Sequence, residues 1–343
     1  MAGRTLRVAG VVFAGVFTLL AAGTAGQAPA PSAAGGTAKP GATWAAPRTS
    51  WGDPDLQGTW NNGTITPLER PRGAGEKALL TKAEEEEIND QSDTRASVEN
   101  RPRDAAQDVE LAYDQVWWDR GKSIGRTSLI VQPTDGRLPP LTPRGEKLMA
   151  EREAARAARG AFDSWTDRPL QERCILYHGV PPLPTGYNNN YEITQAPGVV
   201  AILHEEIHEV RIIPLDGRPH AGSSIRQWMG DSRGHWEGDT LVVETTNFRD
   251  DATFRFPADP ATLRVIERFR RVAPDAIDYS FTVENPTFYS SPWTATLPMR
   301  PGDGLIYEYA CHEGNYAIVH VLQGHRAEEE RAQGAAKESV TPR

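Results

Sequence analysis

The stretch Trp236–Phe248, WEGDTLVVETTNF, decides how this chain folds. Gly238 and Asp239 make a two-residue turn signal, and Leu241, Val242, Val243, Thr245 and Thr246 after it favour a half-buried strand. A lone hairpin buries too little to be stable, so partners are needed on both sides. Outward from it, beyond Cys174, apolar and polar residues alternate and turn signals recur about every eight to twelve residues, the pattern of an antiparallel meander. Strands are expected at about Tyr191–Thr194, Val199–His204, Ile207–Ile213, Gln227–Met229, His235–Trp236, Thr240–Asn247, Leu263–Val272, Ile277–Glu284, Trp293–Met299 and Leu305–His312, with a second tight turn at Ala273–Ala276. Closure removes exposed edges from so many sequential strands. The expected fold is mainly β: an antiparallel up-and-down barrel over residues 171–330, with an N-terminal extended and helical extension.

Residues 1–28 read as a secretory signal peptide: Arg4 and Arg7 precede the apolar run Val8–Ala22, and small residues follow near Ala25 and Ala28. That run is too short to span a bilayer, so no transmembrane segment is expected and the protein should be periplasmic or secreted. Residues 29–47, rich in Pro, Ala, Gly and Ser, read as a flexible linker. Residues 48–170 read as an extended arm and helices packing on the barrel. Thr81 and Glu84 form a capping box for a short helix from Lys82 to about Asn89. Val109, Tyr113, Val116 and Trp117 fall on one helical stripe, and Thr142 with Pro143 opens a helix toward Gly160. A short helix from Tyr316 to about Ala327 and a disordered tail over 331–343 complete the reading.

The formal net charge is −9, with no block of Lys and Arg. Phosphate contacts need clustered cations, so nucleic acid is excluded as a partner. Cys174 and Cys311 are the two cysteines, and in an oxidising compartment they should pair, the alternative being two buried free thiols.

Residues two apart on a strand share a face. Leu263, Val265, Glu267 and Phe269 therefore place Glu267 on the apolar side, where a carboxylate needs Arg268, a histidine or a tyrosine hydroxyl beside it. By the same spacing Ile306, Glu308, Ala310 and His312 share a face, and Glu308 with His312 should meet inside the barrel as an acid–base pair.

His204–His220, HEEIHEVRIIPLDGRPH, concentrates titratable groups. HEEIH matches the helical HExxH zinc signature. However, seven of the fifteen residues from Val199 to Ile213 are Val or Ile, which favours a strand. A strand would instead put His204, Glu206 and His208 on one face as possible metal ligands. The preferred reading needs no metal or cofactor. His208 shares a face with Val210 and Ile212 and points into the cavity, Glu205 joins it through a bulge, and His204 and Glu209 are solvated. Asn247, Arg218, Arg268, Trp228 and Tyr279 are candidates for ligand binding. Trp228, Trp236, Tyr279, Trp293 and Tyr307 form either an aromatic wall or plain core.

The blocks YNNNYEITQAPG, RIIPLDGRPH, RQWMGDSRGHWEGDTLVVETTNF and YEYACHEGNY resemble a family of exported bacterial proteins of unassigned function. The resemblance covers most of the chain and carries no catalytic residues with it. Gly58-Thr59-Trp60, as a GxW motif ahead of a meander, is also faintly similar to lipocalins.

These readings point to an exported enzyme that uses carboxylate and histidine acid–base chemistry in a barrel pocket, on a small polar or aromatic molecule such as a glycoside or ester. Glu308 and His312 would move the proton, with Glu267, Glu205 and His208 beside them. The alternatives are a non-catalytic lipocalin-like binding protein and a metal-dependent hydrolase through His204, Glu206 and His208. No nucleophile elbow, phosphate loop or dinucleotide motif is present.

Overall fold

The hairpin at Gly238 forms as its sequence demands. Strands β6 (Asp231–Glu237) and β7 (Thr240–Thr246) pair antiparallel from Asp231↔Thr246 to Glu237↔Thr240, and Gly238 supplies the left-handed turn at φ 61°. The computed structural model describes residues 44–96, 118–207, 209–302 and 304–340. The expected signal peptide, most of the linker, the helix at 109–117 and His208 lie outside the described residues.

From β7 the meander continues through β8 (Arg264–Ala273), β9 (Ala276–Glu284) and β10 (Trp293–Pro301), each paired antiparallel with the one before. A second meander runs through β3 (Asn190–Ala196), β4 (Val199–His204) and β5 (Val210–Pro214). The two are joined by β1 (Gly58–Asn61), which pairs with β3 on one side and β10 on the other. β2 (Ile130–Gln132) pairs with β10 off this path, giving ten strands in a nearly closed, barrel-shaped antiparallel sheet.

The expected strand over Leu305–His312 is absent, and this stretch is an irregular segment after β10. Its slot is taken: β10 already has β9, β1 and β2 as partners. Gln227–Met229 likewise contributes only a bridge, Gln227 to Phe248.

The ring order holds nine strands, β5-β4-β3-β1-β10-β9-β8-β7-β6. Directions alternate around it, so an odd count makes the two seam strands, β5 and β6, run the same way. They share no ladder. Side chains close the seam instead: Arg211 Nη2 reaches Ser232 Oγ at 3.3 Å, and Gly234 lies under Ile213 and Leu215. A Cβ on Gly234 would sit 2.7 Å from Leu215 Cδ2 and 2.8 Å from Ile213 Cγ2, so the approach requires glycine.

The inner face is the core. Trp60, Tyr191, Phe269, Tyr279, Phe281 and Trp293 fill it with branched aliphatics. Aromatic pairs such as Phe281–Trp293, 5.6 Å apart and edge-on, knit the layers.

Among the described residues three α-helices flank the sheet. In α1 (Lys82–Ala96) the capping box forms, with Glu84 N to Thr81 Oγ1 and Thr81 N to Glu84 Oε2, and the helix outruns its expected end. In α2 (Pro143–Ala157) Thr142 caps through Gly145 N. The last, α3 (Ala317–Val340), continues through most of the stretch expected as a disordered tail. No described helix is long and apolar enough to cross a membrane. Cys174 and Cys311 form the expected disulfide.

Candidate functional site: a buried imidazole and carboxylate cluster

The tight turns at Gly198, Gly238 and Pro274 close one end of the barrel, while the longer connections gather at the other. That second end carries the segments after β1, before β3, between β4 and β5, and between β7 and β8. Long connections on a rigid sheet are where sites are built.

Parity places the side chains there. In β4 the inward set is Val200, Ile202 and His204, all buried. Along β5 and the residue before it the inward set is Glu209, Arg211 and Ile213, whereas Val210 and Ile212 are more than half exposed. This reverses the sequence expectation, in which His208, Val210 and Ile212 faced inward and His204 and Glu209 were solvated. The physical reason lies on another strand. Glu267 is buried on β8, as its spacing predicts, and needs a cation, which Arg211 supplies from Nη1 at 3.0 Å and Nη2 at 2.5 Å. Tyr279 Oη donates to the same carboxylate at 2.8 Å, and Thr245 Oγ1 lies 3.3 Å from Arg211 Nη2. Glu267 and Tyr279 are thus brought together. Arg268 points outward instead and pairs with Glu237.

Beyond this ion pair lies the cluster. His204 N donates to Glu209 O at 2.8 Å, which sets the two residues opposite each other, with His204 Nδ1 3.3 Å from Glu209 Oε2. Tyr191 Oη and His178 Nδ1 share a hydrogen bond of 3.1 Å, and the Tyr191 and His204 rings meet edge-on at 4.9 Å. His178, Tyr191, His204 and Glu209 are all buried. Burial pushes the Glu209 carboxyl up to about 7, against the Tyr177 amide that donates to it at 2.6 Å. Burial also pushes both His178 and His204 down to about 3, so both imidazoles are neutral at neutral pH. His178 Nε2, His204 Nδ1 and Nε2, and Glu209 Oε2 are buried without a hydrogen-bond partner. Such atoms call for ordered water or a bound molecule.

The loop between β4 and β5 is strained where it turns. Ile207 has φ 23°, a conformation β-branched residues avoid, and Asn188, in the neighbouring segment before β3, sits at φ 57°. Between them Glu206 is buried and accepts from Asn188 Nδ2, Gln171 Nε2 and Tyr309 Oη at 3.1, 3.2 and 3.1 Å; burial raises its pKa. The Cys174–Cys311 disulfide ties the segment carrying Tyr309 to the loop carrying Gln171 and His178.

The remaining sequence candidates do not converge on this cluster. Glu308 and His312 are exposed in the irregular segment, so the alternation that put them inside does not apply. Glu205 is half-buried and accepts from Asn190 Nδ2 at 2.9 Å on the outer face. Arg218 is exposed and paired with Asp216. Asn247 holds the β5–β6 connection through Ala221 O at 2.8 Å, and Trp228 lies beneath Arg249. Trp293 is core and Tyr307 is exposed. Among the described residues no group of three His, Cys, Asp or Glu is placed to hold a metal. His204 faces Glu209, Glu206 instead accepts from Asn188, Gln171 and Tyr309, and His208 is outside the described residues.

Sequence reasoning missed His178, Tyr191 and Glu209. The parity of Val200, Ile202 and His204 carries the signal for His204, but His178 sits in YHGVPPLP, where no period exists.

A groove of about 740 Å³ opens at the same end of the barrel. It is lined by the segment after β1, one face of α1, Trp118, Arg120, Leu183–Gly186 and Arg255 of the β7–β8 connection. The Arg255 charge reaches both His178 and Tyr191, so groove and cluster are neighbours.

Compared with protein-family models, curated proteins and solved structures, the chain matches none.

Proposed function

We infer that the protein is an exported barrel enzyme that carries out acid–base chemistry on a small polar or aromatic organic molecule, with Glu209 as the proton-carrying group. The observation that supports this is a carboxyl held near 7 by burial beside two neutral imidazoles, three of whose four ring nitrogens lack a hydrogen-bond partner. A group that titrates near the working pH both takes and returns a proton efficiently. His204 faces Glu209 across the β4–β5 loop and orients it. His178, tied to Tyr191, offers Nε2 to the reacting molecule. The substrate approaches from the groove that Arg255 shares with the cluster.

The test is turnover of chromogenic glycosides and esters by the wild type, Glu209→Gln and His178→Gln, with circular dichroism to confirm folding. Activity that rises through an inflection near pH 7 and is lost in both variants is the expected result. Full activity in Glu209→Gln overturns the assignment. A second reading, a non-catalytic binding barrel, is favoured by one observation: Arg211 neutralises Glu267 inside the sheet, as a purely structural ion pair would. Tight binding of a panel member without turnover selects it.

A further inference from the structure

We propose that the groove beside the cluster is a binding site for a small organic carboxylate with an apolar body. In a chain of net charge −9, this groove is lined by three arginines, Arg95, Arg120 and Arg255, and, among the described residues, by no aspartate or glutamate. None of the three has an ion-pair partner among the described residues. The nearest acid in sequence, Asp119, is engaged elsewhere, accepting from Asn61 Nδ2 at 2.6 Å. By contrast, Arg211, Arg218, Arg264 and Arg268 each hold a carboxylate.

Guanidinium groups gathered without counter-ions repel one another, and an anion in the groove relieves this. Their planar forks match a carboxylate with two parallel hydrogen bonds. The rest of the lining fits an uncharged remainder. Trp118 lies under Arg120, whose guanidinium carbon is 3.6 Å from the ring centroid, and Ile65, Leu68 and Leu183 supply aliphatic wall. A volume of about 740 Å³ suits a small molecule rather than a bare ion.

The claim deepens the functional reading in one respect and rests on it there: the anion would be the substrate. Its binding is measured without turnover, so the two can fail separately. The full chain is titrated calorimetrically with phenylacetate, with the neutral isostere phenylacetamide and with inorganic phosphate, at low and high salt. Phenylacetate should bind at least tenfold more tightly than phenylacetamide, and weaken as salt rises. Arg120→Gln and Arg255→Gln should each weaken it several-fold with a little-changed melting temperature, since neither side chain holds a carboxylate among the described residues. Equal binding of phenylacetamide, unaltered binding in both variants, or binding of phosphate but not phenylacetate overturns the proposal. Absence of binding by any of the three compounds overturns it as well.

Discussion

Replacing Glu209 by glutamine should change how stability depends on pH, by an amount the burial of this carboxyl sets. Glu209 titrates near 7 in the folded chain and near 4.5 in the unfolded one. Between these values the folded state holds a proton that the unfolded state has released. The stability due to the neutral carboxyl is therefore fully present below about pH 4.5, falls as pH rises through about 7, and is flat above. The difference of about two and a half units corresponds to about 3 kcal/mol. Glutamine keeps an acceptor for the Tyr177 amide and carries no charge, so the variant escapes this loss. His178 and His204, held near 3, act in the opposite direction: their contribution is complete above about 6.5 and disappears toward pH 3. They do so in both proteins and largely cancel in the comparison, the Glu209 charge being a smaller influence on His178 than burial. Urea unfolding midpoints for wild type and Glu209→Gln, at intervals from about pH 4 to pH 8, should diverge in favour of the variant by about 3 kcal/mol. Parallel curves would refute a raised Glu209, and with it the proton carrier of the proposed mechanism.

Arg211→Met should cost about 3 to 5 kcal/mol, because it leaves Glu267 buried with Tyr279 as its remaining donor; Arg211→Met with Glu267→Leu should recover much of that in the same urea assay. Gly234→Val should cost about 1 to 3 kcal/mol by thermal melting, since its side chain enters the space of Ile213 and Leu215 at the seam. Cys174→Ser with Cys311→Ser removes closure of a loop of 137 positions, at most about 4 to 5 kcal/mol. Limited proteolysis should first cut the irregular segment 304–316 in that variant.

How much of this was legible in the sequence depends on where the information lies. β8 and the β6–β7 hairpin were readable because alternation and turn chemistry are local, and Glu267 fell inside as its neighbours dictated. β5 was not. Judged alone, Val210 and Ile212 are the better inward residues, and only a carboxylate on β8, more than fifty positions away, reverses the choice. β1 was hidden for a different reason: four residues, GTWN, among Pro, Gly and Asn show no period, yet they occupy the place beside β10 that Leu305–His312 was expected to take. That substitution removed Glu308 and His312 from the interior. The disulfide was legible because two cysteines leave little choice, and His178 was not because loops carry no parity.

The seam and the candidate site are two stations on one strand. Glu209, just ahead of β5, and Arg211 and Ile213 on its inner face follow at two-residue steps: the first is the proposed proton carrier, the second neutralises Glu267, and the third packs on Gly234. On one side β5 is fixed to β4 by a ladder. On the other it is held by Arg211 and by close packing, because nine alternating strands leave it a parallel neighbour with no ladder. Side-chain contacts yield more readily than a hydrogen-bonded ladder, so loosening the seam should shift β5 and open the cluster to water before the rest of the sheet responds. Glu209 would then lose the burial that raises it, and its titration would move back toward 4.5. Gly234→Val, which touches no residue of the cluster, should therefore lower the Glu209 pKa measured by carboxyl carbon NMR. A titration unchanged in that variant would mean that the β4–β5 loop holds Glu209 without help from the seam.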